Sequence, residues 1–281
     1  MPSVPTPVPA IRAVAVTDPL AWLKLGWRDT RRAGWVSVAH GVVLAAFGTA
    51  ILAIARDRFW LLAGALSGFL VVAPVLATSL YALSRAIEHG EPPSIDVVRR
   101  TWLNWQRDRI GDRRGDYWCL IRFGVLLAVA ATGWVLTSAA LITLLAPVAI
   151  RTPMDFVQHV ILARGGWLFE AWLALGGVLA APIFASSVVS MPLLLDRRVT
   201  LRQAVLTSWQ AVATNPAAMV AWAALLMTLT LAGMAPLLLG LIPVIPVLGH
   251  ASWHAYRAMV DASGVPPRDP DGGAAASPAG R

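Results

Sequence analysis

Two histidines near the end of the chain have the type and spacing that most resemble a chemical site. His250 and His254 lie four residues apart in the stretch PVLGHASWHAYR, at the close of residues 215–256, none of which is Asp, Glu, Lys or Arg. Residues four apart share one face of a helix, and an ionisable side chain at membrane depth indicates a functional role. Imidazole rings can bind a metal ion or haem, or carry protons.

A third histidine is expected at a similar depth in the membrane. His40 lies roughly 9 Å along its helix from residue 34, and His250 lies roughly 10 Å before Arg257. Cys119 and Arg122 approach the same layer from another apolar run. The sequence therefore predicts His250, His254 and His40 as candidate ligand or proton-linked residues, with Arg122, Cys119 and Arg257 in support.

The sequence leaves two interpretations of these histidines open. In the first, they hold a ligand; a haem with two histidine ligands would need His40 with one of the pair, since His250 and His254 project from the same side. In the second, His250 and His254 hydrogen-bond to Ser, Tyr and backbone groups and hold the last helix in place. No cofactor is predicted, with haem or a metal ion as the alternative.

The elements that position these residues are membrane-spanning helices. The 281 residues are 57% hydrophobic and 14% charged, with a mean hydropathy of +0.65, whereas soluble domains carry about 25% charged residues. The bilayer segments and their connections use almost the whole chain, so no separate soluble catalytic domain is expected. The single cysteine excludes an intramolecular disulfide and any multi-cysteine zinc site.

The chain is predicted to be all-α and to cross the bilayer six times. Four charge-free runs are each long enough for one crossing, namely residues 33–55, 59–84, 123–150 and 171–195. A fifth run, residues 215–256, would extend roughly 63 Å as one helix, about twice the bilayer thickness. It is therefore expected to turn back near residues 233–236.

The basic residues predict the orientation. Eighteen Lys and Arg residues fall on the side of both termini and four on the other side, which places both termini in the cytoplasm by the positive-inside rule. The arginine- and alanine-rich composition suggests a GC-rich bacterial genome. Because the basic residues flank apolar runs and no recognition module accompanies them, nucleic acid is not an expected partner.

Three copies of one unit are predicted, each a surface amphipathic helix followed by a transmembrane hairpin. The surface helices open at Asp18, Ser94 and Thr200, and the last has a capping box with Gln203. The units cover residues 18–93, 94–199 and 200–262, between disordered tails at 1–17 and 263–281. Each surface helix could equally be a lid packed on the bundle.

Matching segments end the first and third units. PVLATSLYALSR from Pro74 aligns with PVLGHASWHAYR from Pro246, which places Arg257 opposite Arg85 and an aromatic residue opposite an aromatic residue. Neither histidine has a counterpart in the first unit. The histidines are therefore additions to the third unit, which favours a functional role.

The absence of a recognisable reaction motif limits the functional hypotheses. The sequence has no phosphate-binding glycine loop, zinc-protease helix, nucleophile elbow or paired buried carboxylates. We expect a non-enzymatic scaffold, assembly or regulatory component. A haem- or metal-binding protein associated with respiration and a small-solute or ion permease are the alternatives. Expected partners are the lipid bilayer and another membrane protein or respiratory complex.

A family resemblance agrees with this class. GHASWHAYR, with FLVVAPVLATSLYALSRAIEHGE before it and MPLLLDRRVTLRQAVLTSW followed by NPAAMVAW, resembles the bacterial integral-membrane family catalogued as domain of unknown function 2189. The resemblance is expected to cover residues 22–260. It implies a multi-pass inner-membrane protein and no particular reaction.

Overall fold

The computed structural model of the protein describes residues 9–55, 64–65, 77–107, 118–163 and 166–268, and helices dominate this part of the chain. A two-residue strand, β1 (Ala10–Ile11), precedes them and β2 (Val260–Asp261) follows them. The helices are α1 (Asp18–Ala33), α2 (Trp35–Ala55), α3 (described over 77–88), α4 (Ile95–Arg107), α5 (Trp118–Leu145), α6 (Pro153–Phe156) with a π-helical turn (Val157–Ile161), α7 (Leu168–Ser187), α8 (Ser190–Asp196), α9 (Leu201–Thr214), α10 (Pro216–Met234) and α11 (Leu241–Met259).

Four stretches of the described chain are long and apolar enough to cross a bilayer. They are Trp35–Ile54, Arg122–Leu145, Leu168–Asp196 and Pro216–Met234, which correspond to the first, third, fourth and fifth predicted spans. Most of the second predicted span lies outside the described residues. The all-α membrane character is thus confirmed, while the arrangement of six spans in three hairpins stays a prediction.

The last apolar run turns back where the sequence predicted. Helix α10 ends at Met234 and α11 begins at Leu241. In the turn, Leu237 and Leu238 take positive φ angles of 50° and 68°. Gly233 and Gly240 make the tight turn possible, because a Cβ atom on Gly240 would lie 2.7 Å from the Cα atom of Gly233.

Helix α11 occupies the centre of the main core and is more polar than the four candidate spans. It packs against α1, α2, α8 and α10, and its Trp253, Tyr256 and Met259 side chains are fully buried. Small residues permit the contact with α1: a Cβ atom on Gly26 would lie 2.5 Å from the Val247 carbonyl oxygen. Close approach of two backbones through small residues is typical of membrane helix pairs.

Helix α1 packs on the bundle through one face. The buried stripe is Trp22, Gly26, Asp29, Thr30 and Ala33. Leu20 and Trp27 lie outside this stripe and are 60% and 51% exposed. The helix cap differs by one residue from the predicted one, because Thr17 rather than Asp18 is the N-cap.

The other two predicted surface helices begin where expected. Helix α4 begins at Ile95, directly after Ser94, and α9 begins at Leu201, directly after Thr200. The capping box is present: Thr200 accepts a hydrogen bond from the Gln203 amide, and the Gln203 side chain accepts one from the Thr200 amide. Partly buried side chains of both helices, such as Val98 and Val205, pack against the main core.

Parts of both predicted disordered tails are ordered. Strand β1 pairs antiparallel with β2, with Ala10 opposite Asp261, and the Asn215 side chain binds the backbone of Val14 and Arg12. At the other terminus the Arg268 amide donates to the Asp196 carbonyl oxygen. The sequence gives no signal for these contacts, because two-residue strands and backbone hydrogen bonds need no particular residue pattern.

Candidate functional site

His250 is fully buried on α11, and both of its ring nitrogens have hydrogen-bond partners. Its Nε2 atom lies 2.7 Å from the Ser37 hydroxyl of α2, and its Nδ1 atom lies 2.7 Å from the Ser84 hydroxyl of α3. Each serine is also buried. One imidazole therefore joins three helices.

The contact between Ser84 and Asp29 assigns the directions of these hydrogen bonds. The Ser84 hydroxyl donates to Asp29 Oδ2 at 3.0 Å, because a carboxylate can only accept. Ser84 then accepts from Nδ1–H of His250, which leaves Nε2 of the neutral ring to accept the hydroxyl proton of Ser37. The direction of donation runs from Ser37 through His250 and Ser84 to the carboxylate of Asp29.

Asp29 is almost completely buried on α1 and accepts a second hydrogen bond to the same oxygen. His254 Nε2 lies 2.7 Å from Asp29 Oδ2, and the Arg28 guanidinium approaches Oδ1 at 3.5 Å. Burial raises the pKa of Asp29, but the hydrogen bond and positive charge of His254, with the Ser84 hydroxyl, outweigh it and hold the pKa below its ordinary value. The site thus favours an ionised carboxylate.

We call the set of Ser37, His250, Ser84, Asp29 and His254 the histidine network. Four helices contribute to it: α1, α2, α3 and α11. His250 and His254 project from one face of α11, as their spacing predicted. Since α1 is held against α11 at Gly26, Asp29 is brought beside both histidines.

His40 lies outside the network. Its Nδ1 atom lies 2.8 Å from the Val36 carbonyl oxygen one turn earlier on α2, and its ring lines a cavity beside α11. Of the three histidines predicted to share one layer, His250 and His254 are therefore linked through the network, whereas His40 is separate from it.

Two of the three supporting residues, Arg257 and Arg122, are not members of the network. Arg257 binds Glu88 of α3, with Nη2 2.7 Å from Oε1, and Trp253 donates to the other oxygen of the same carboxylate at 3.0 Å. Arg122 is exposed near the start of α5, a helix that packs against α7, α8 and α9. The side chain of Cys119 lies outside the described residues.

A second carboxylate cluster lies near the end of α3. Asp196 binds Arg85 at 3.3 Å and Arg197 at 2.9 Å, and it accepts a hydrogen bond from the Tyr256 hydroxyl at 2.8 Å. Arg85 and Arg257, which align in the predicted repeat, thus each bind a carboxylate, Arg85 that of the buried Asp196 and Arg257 that of the exposed Glu88.

The chemistry available to the network is hydrogen bonding and proton exchange. Among the described residues no group of three or more His, Cys, Asp or Glu side chains is arranged to hold a metal ion. Both nitrogens of His250 are engaged, so metal ligation by His250 would require loss of a serine contact.

Asp29, Ser37 and Ser84 are the functional residues that sequence reasoning missed. A usable signal existed on α1, where Trp22, Gly26, Asp29 and Ala33 recur at intervals of three and four residues. A small residue and an acid on an otherwise apolar stripe indicate a packed face with a buried partner. No comparable signal distinguished the two serines from others in apolar runs.

These helices define a helical integral membrane protein. The family model described as a predicted integral membrane protein, DUF2189, matches residues 61–196. The match is shorter than the expected 22–260 and does not include α1, α2 or α11. No curated protein and no solved structure matches the chain.

Proposed function

We propose that the protein is a non-enzymatic, multi-pass component of a bacterial inner membrane that acts as a scaffold, assembly or regulatory subunit. The mutual hydrogen bonding within the histidine network supports this function most directly. Both ring nitrogens of His250 are bonded, and the Asp29 carboxylate receives Ser84 and His254. A buried network whose groups bind one another fixes the positions of helices.

Two observations support six spans in three hairpins. The turn between α10 and α11 divides the last apolar run into two helices. In addition, Trp102 of α4 donates to Ser79 at 2.7 Å, and Trp209 of α9 donates to Ser186 at 3.0 Å. Each tryptophan lies 23 residues after its serine, as a repeat of hairpin and surface helix would produce.

The arginine distribution supports an orientation with both termini in the cytoplasm. Helix α1 carries exposed Arg31 and Arg32 beside exposed Trp27, and α9 carries exposed Arg202 beside exposed Trp209. Arginine with tryptophan suits the headgroup region of an anionic bilayer. The same surface would present charge to a second membrane protein or a respiratory complex.

The alternatives receive less support from the geometry. A haem or metal bound by His40, His250 and His254 would have to displace the serine and carboxylate partners of the pair. A solute or ion permease would need a polar pathway, whereas the cavity beside His40 is almost entirely apolar.

Site-specific photo-cross-linking in living bacteria tests the scaffold function. A photoreactive residue would be placed at Arg31 and at Arg202, and in a matched control at Val178, which is 70% exposed on the candidate span containing α7. We expect one discrete protein adduct, common to both arginine positions and absent at Val178. Lipid adducts alone at all three positions would contradict a scaffold function.

A further inference from the structure

A cavity of about 220 Å³ lies among α2, α3, α4 and α11. Its walls are almost wholly hydrocarbon, including Val36 and Leu44 of α2, Leu80 of α3, Val98 of α4 and Ile245 of α11. Among the described residues that line it, His40 alone has a polar side chain. Small-molecule sites commonly combine an apolar wall with very few placed polar groups.

The backbone contact of His40 assigns the hydrogen-bonding character of its ring. Nδ1 lies 2.8 Å from the Val36 carbonyl oxygen, and a carbonyl can only accept, so Nδ1 carries the proton. In the neutral ring Nε2 then holds a lone pair and no proton. Within the described part of the chain Nε2 has no hydrogen-bond partner, and His40 lines the cavity.

Two described residues of the cavity lining are exposed. They are Val43 of α2 and Ile95 of α4, which are 63% and 53% exposed. Since α2 is a candidate span and α4 is a predicted surface helix, a molecule would enter from the bilayer. The occupant must therefore be soluble in lipid.

We propose that this cavity binds a membrane-soluble phenol of the hydroquinone class, whose ring fills the apolar space and whose hydroxyl donates to Nε2 of His40. The volume is sufficient, because an engineered apolar cavity of about 150 Å³ binds benzene. The acceptor at His40 selects a molecule that has a hydroxyl proton. A lipid acyl chain could occupy the same space but would make no use of His40.

A pair of ring compounds that differ only at the oxygens tests the proposal. Tetramethylhydroquinone and tetramethylquinone would each be titrated into the full chain in lipid nanodiscs, with empty nanodiscs subtracted and the hydroquinone kept reduced. The two rings have nearly the same size, but only the first has hydroxyl protons. We expect the hydroquinone to bind about tenfold more tightly, as one additional hydrogen bond would give.

Two variants separate the His40 contact from general partitioning. His40→Leu should weaken hydroquinone binding to the level of the quinone and leave quinone binding unchanged. His89→Leu is the matched control, since His89 has the same Nδ1 contact with a carbonyl oxygen four residues earlier but is exposed. It should change neither affinity.

The comparison of the two compounds on the unmodified chain does not depend on how any variant folds. Equal affinities for hydroquinone and quinone would overturn the proposal and indicate a gap filled by lipid chains. Binding of neither compound above empty nanodiscs would also overturn it. A hydroquinone preference that survives in His40→Leu would exclude His40 as the acceptor.

Discussion

His250 and Asp29 lie on helices far apart in the sequence and are joined through one hydroxyl group. Ser84 accepts from His250 Nδ1 at 2.7 Å and donates to Asp29 Oδ2 at 3.0 Å. The carboxylate also binds His254 from the next turn of α11. An acid on α1, the first described helix, is thus matched to two histidines on α11, the last described helix.

Replacing His250 should destabilise the fold. His250→Ala removes two buried hydrogen bonds and leaves a cavity, so we expect a loss of about 2–4 kcal/mol in the free energy of unfolding. Reversible denaturation in mixed micelles would measure it. His89→Ala, at an exposed histidine, is the control and should change stability by less than about 0.5 kcal/mol. Equal effects of the two substitutions would mean that the buried network contributes nothing.

The carboxylate of Asp29 should make stability depend on pH. Its pKa is held below the ordinary value of 3.8, so its contribution is complete above that value and is lost as the pH falls through the lower, folded-state pKa. Asp29→Asn should lower the free energy of unfolding by about 1–3 kcal/mol at neutral pH. The difference in this free energy between wild type and variant should become smaller below pH 4.

Asp96→Asn is the control for this prediction, because Asp96 forms an exposed ion pair with Arg99 at 3.2 Å. Exposed pairs contribute about 0–1 kcal/mol. The difference in the free energy of unfolding between wild type and Asp29→Asn would be measured from neutral to acidic pH. If this difference does not change with pH, Asp29 is not ionised in the native state.

Gly26 should be intolerant of even one added carbon. A Cβ atom there would lie 2.5 Å from the Val247 carbonyl oxygen and 2.7 Å from the Ala251 amide nitrogen, so α1 must move away from α11. We expect Gly26→Ala to lower the free energy of unfolding by about 1–3 kcal/mol. Gly177→Ala, at a helical glycine with open space around it, should instead be neutral or stabilise by up to about 1 kcal/mol. Thermal unfolding of the two variants in detergent would separate them.

Asp196 should stabilise the position of the segment that follows α11, residues 260–268. Arg197, which binds Asp196, also donates to the Val265 carbonyl oxygen, and Arg85 donates to that of Arg268. Asp196→Asn should therefore increase hydrogen exchange of the amides at 260–268. Asp155→Asn, in the exposed capping box of α6, should affect only residues near 152–156. Unchanged exchange at 260–268 would contradict this role.

Cysteine labelling should determine the orientation of the chain. In a Cys119→Ser background, His89→Cys and Met154→Cys would each place one thiol at an exposed position on opposite sides of the predicted membrane. An impermeant thiol reagent added to intact spheroplasts should label Met154→Cys and should label His89→Cys only after lysis. The reverse pattern would contradict the arginine-based topology.

The sequence predicted the helices better than it predicted their contacts. Apolar runs and turn residues are local signals, so the break between α10 and α11 and the Thr200–Gln203 cap were found from the sequence. The partner of a buried side chain is a long-range property. His254 and Asp29 are 225 residues apart, and no local pattern of residues links them.

The shared helix face of the two histidines could be predicted for a physical reason. Helical spacing correctly placed His250 and His254 on one face, because i and i+4 geometry depends only on the helix. Depth along a span cannot give the rotation of a helix about its axis. For that reason His40, although expected at the same level, faces a separate cavity, and Ser37 of the same helix meets His250 instead.

The central claim is that His250 serves as a hydrogen-bonding residue of the bundle and not as a cofactor ligand. The most direct test is an ultraviolet–visible spectrum with elemental analysis of the protein purified in mild detergent from cells supplied with iron and haem precursors, beside His250→Ala and His254→Ala. We predict no Soret band and no stoichiometric metal in the wild type. A Soret band or one equivalent of metal that disappears in the variants would contradict the claim.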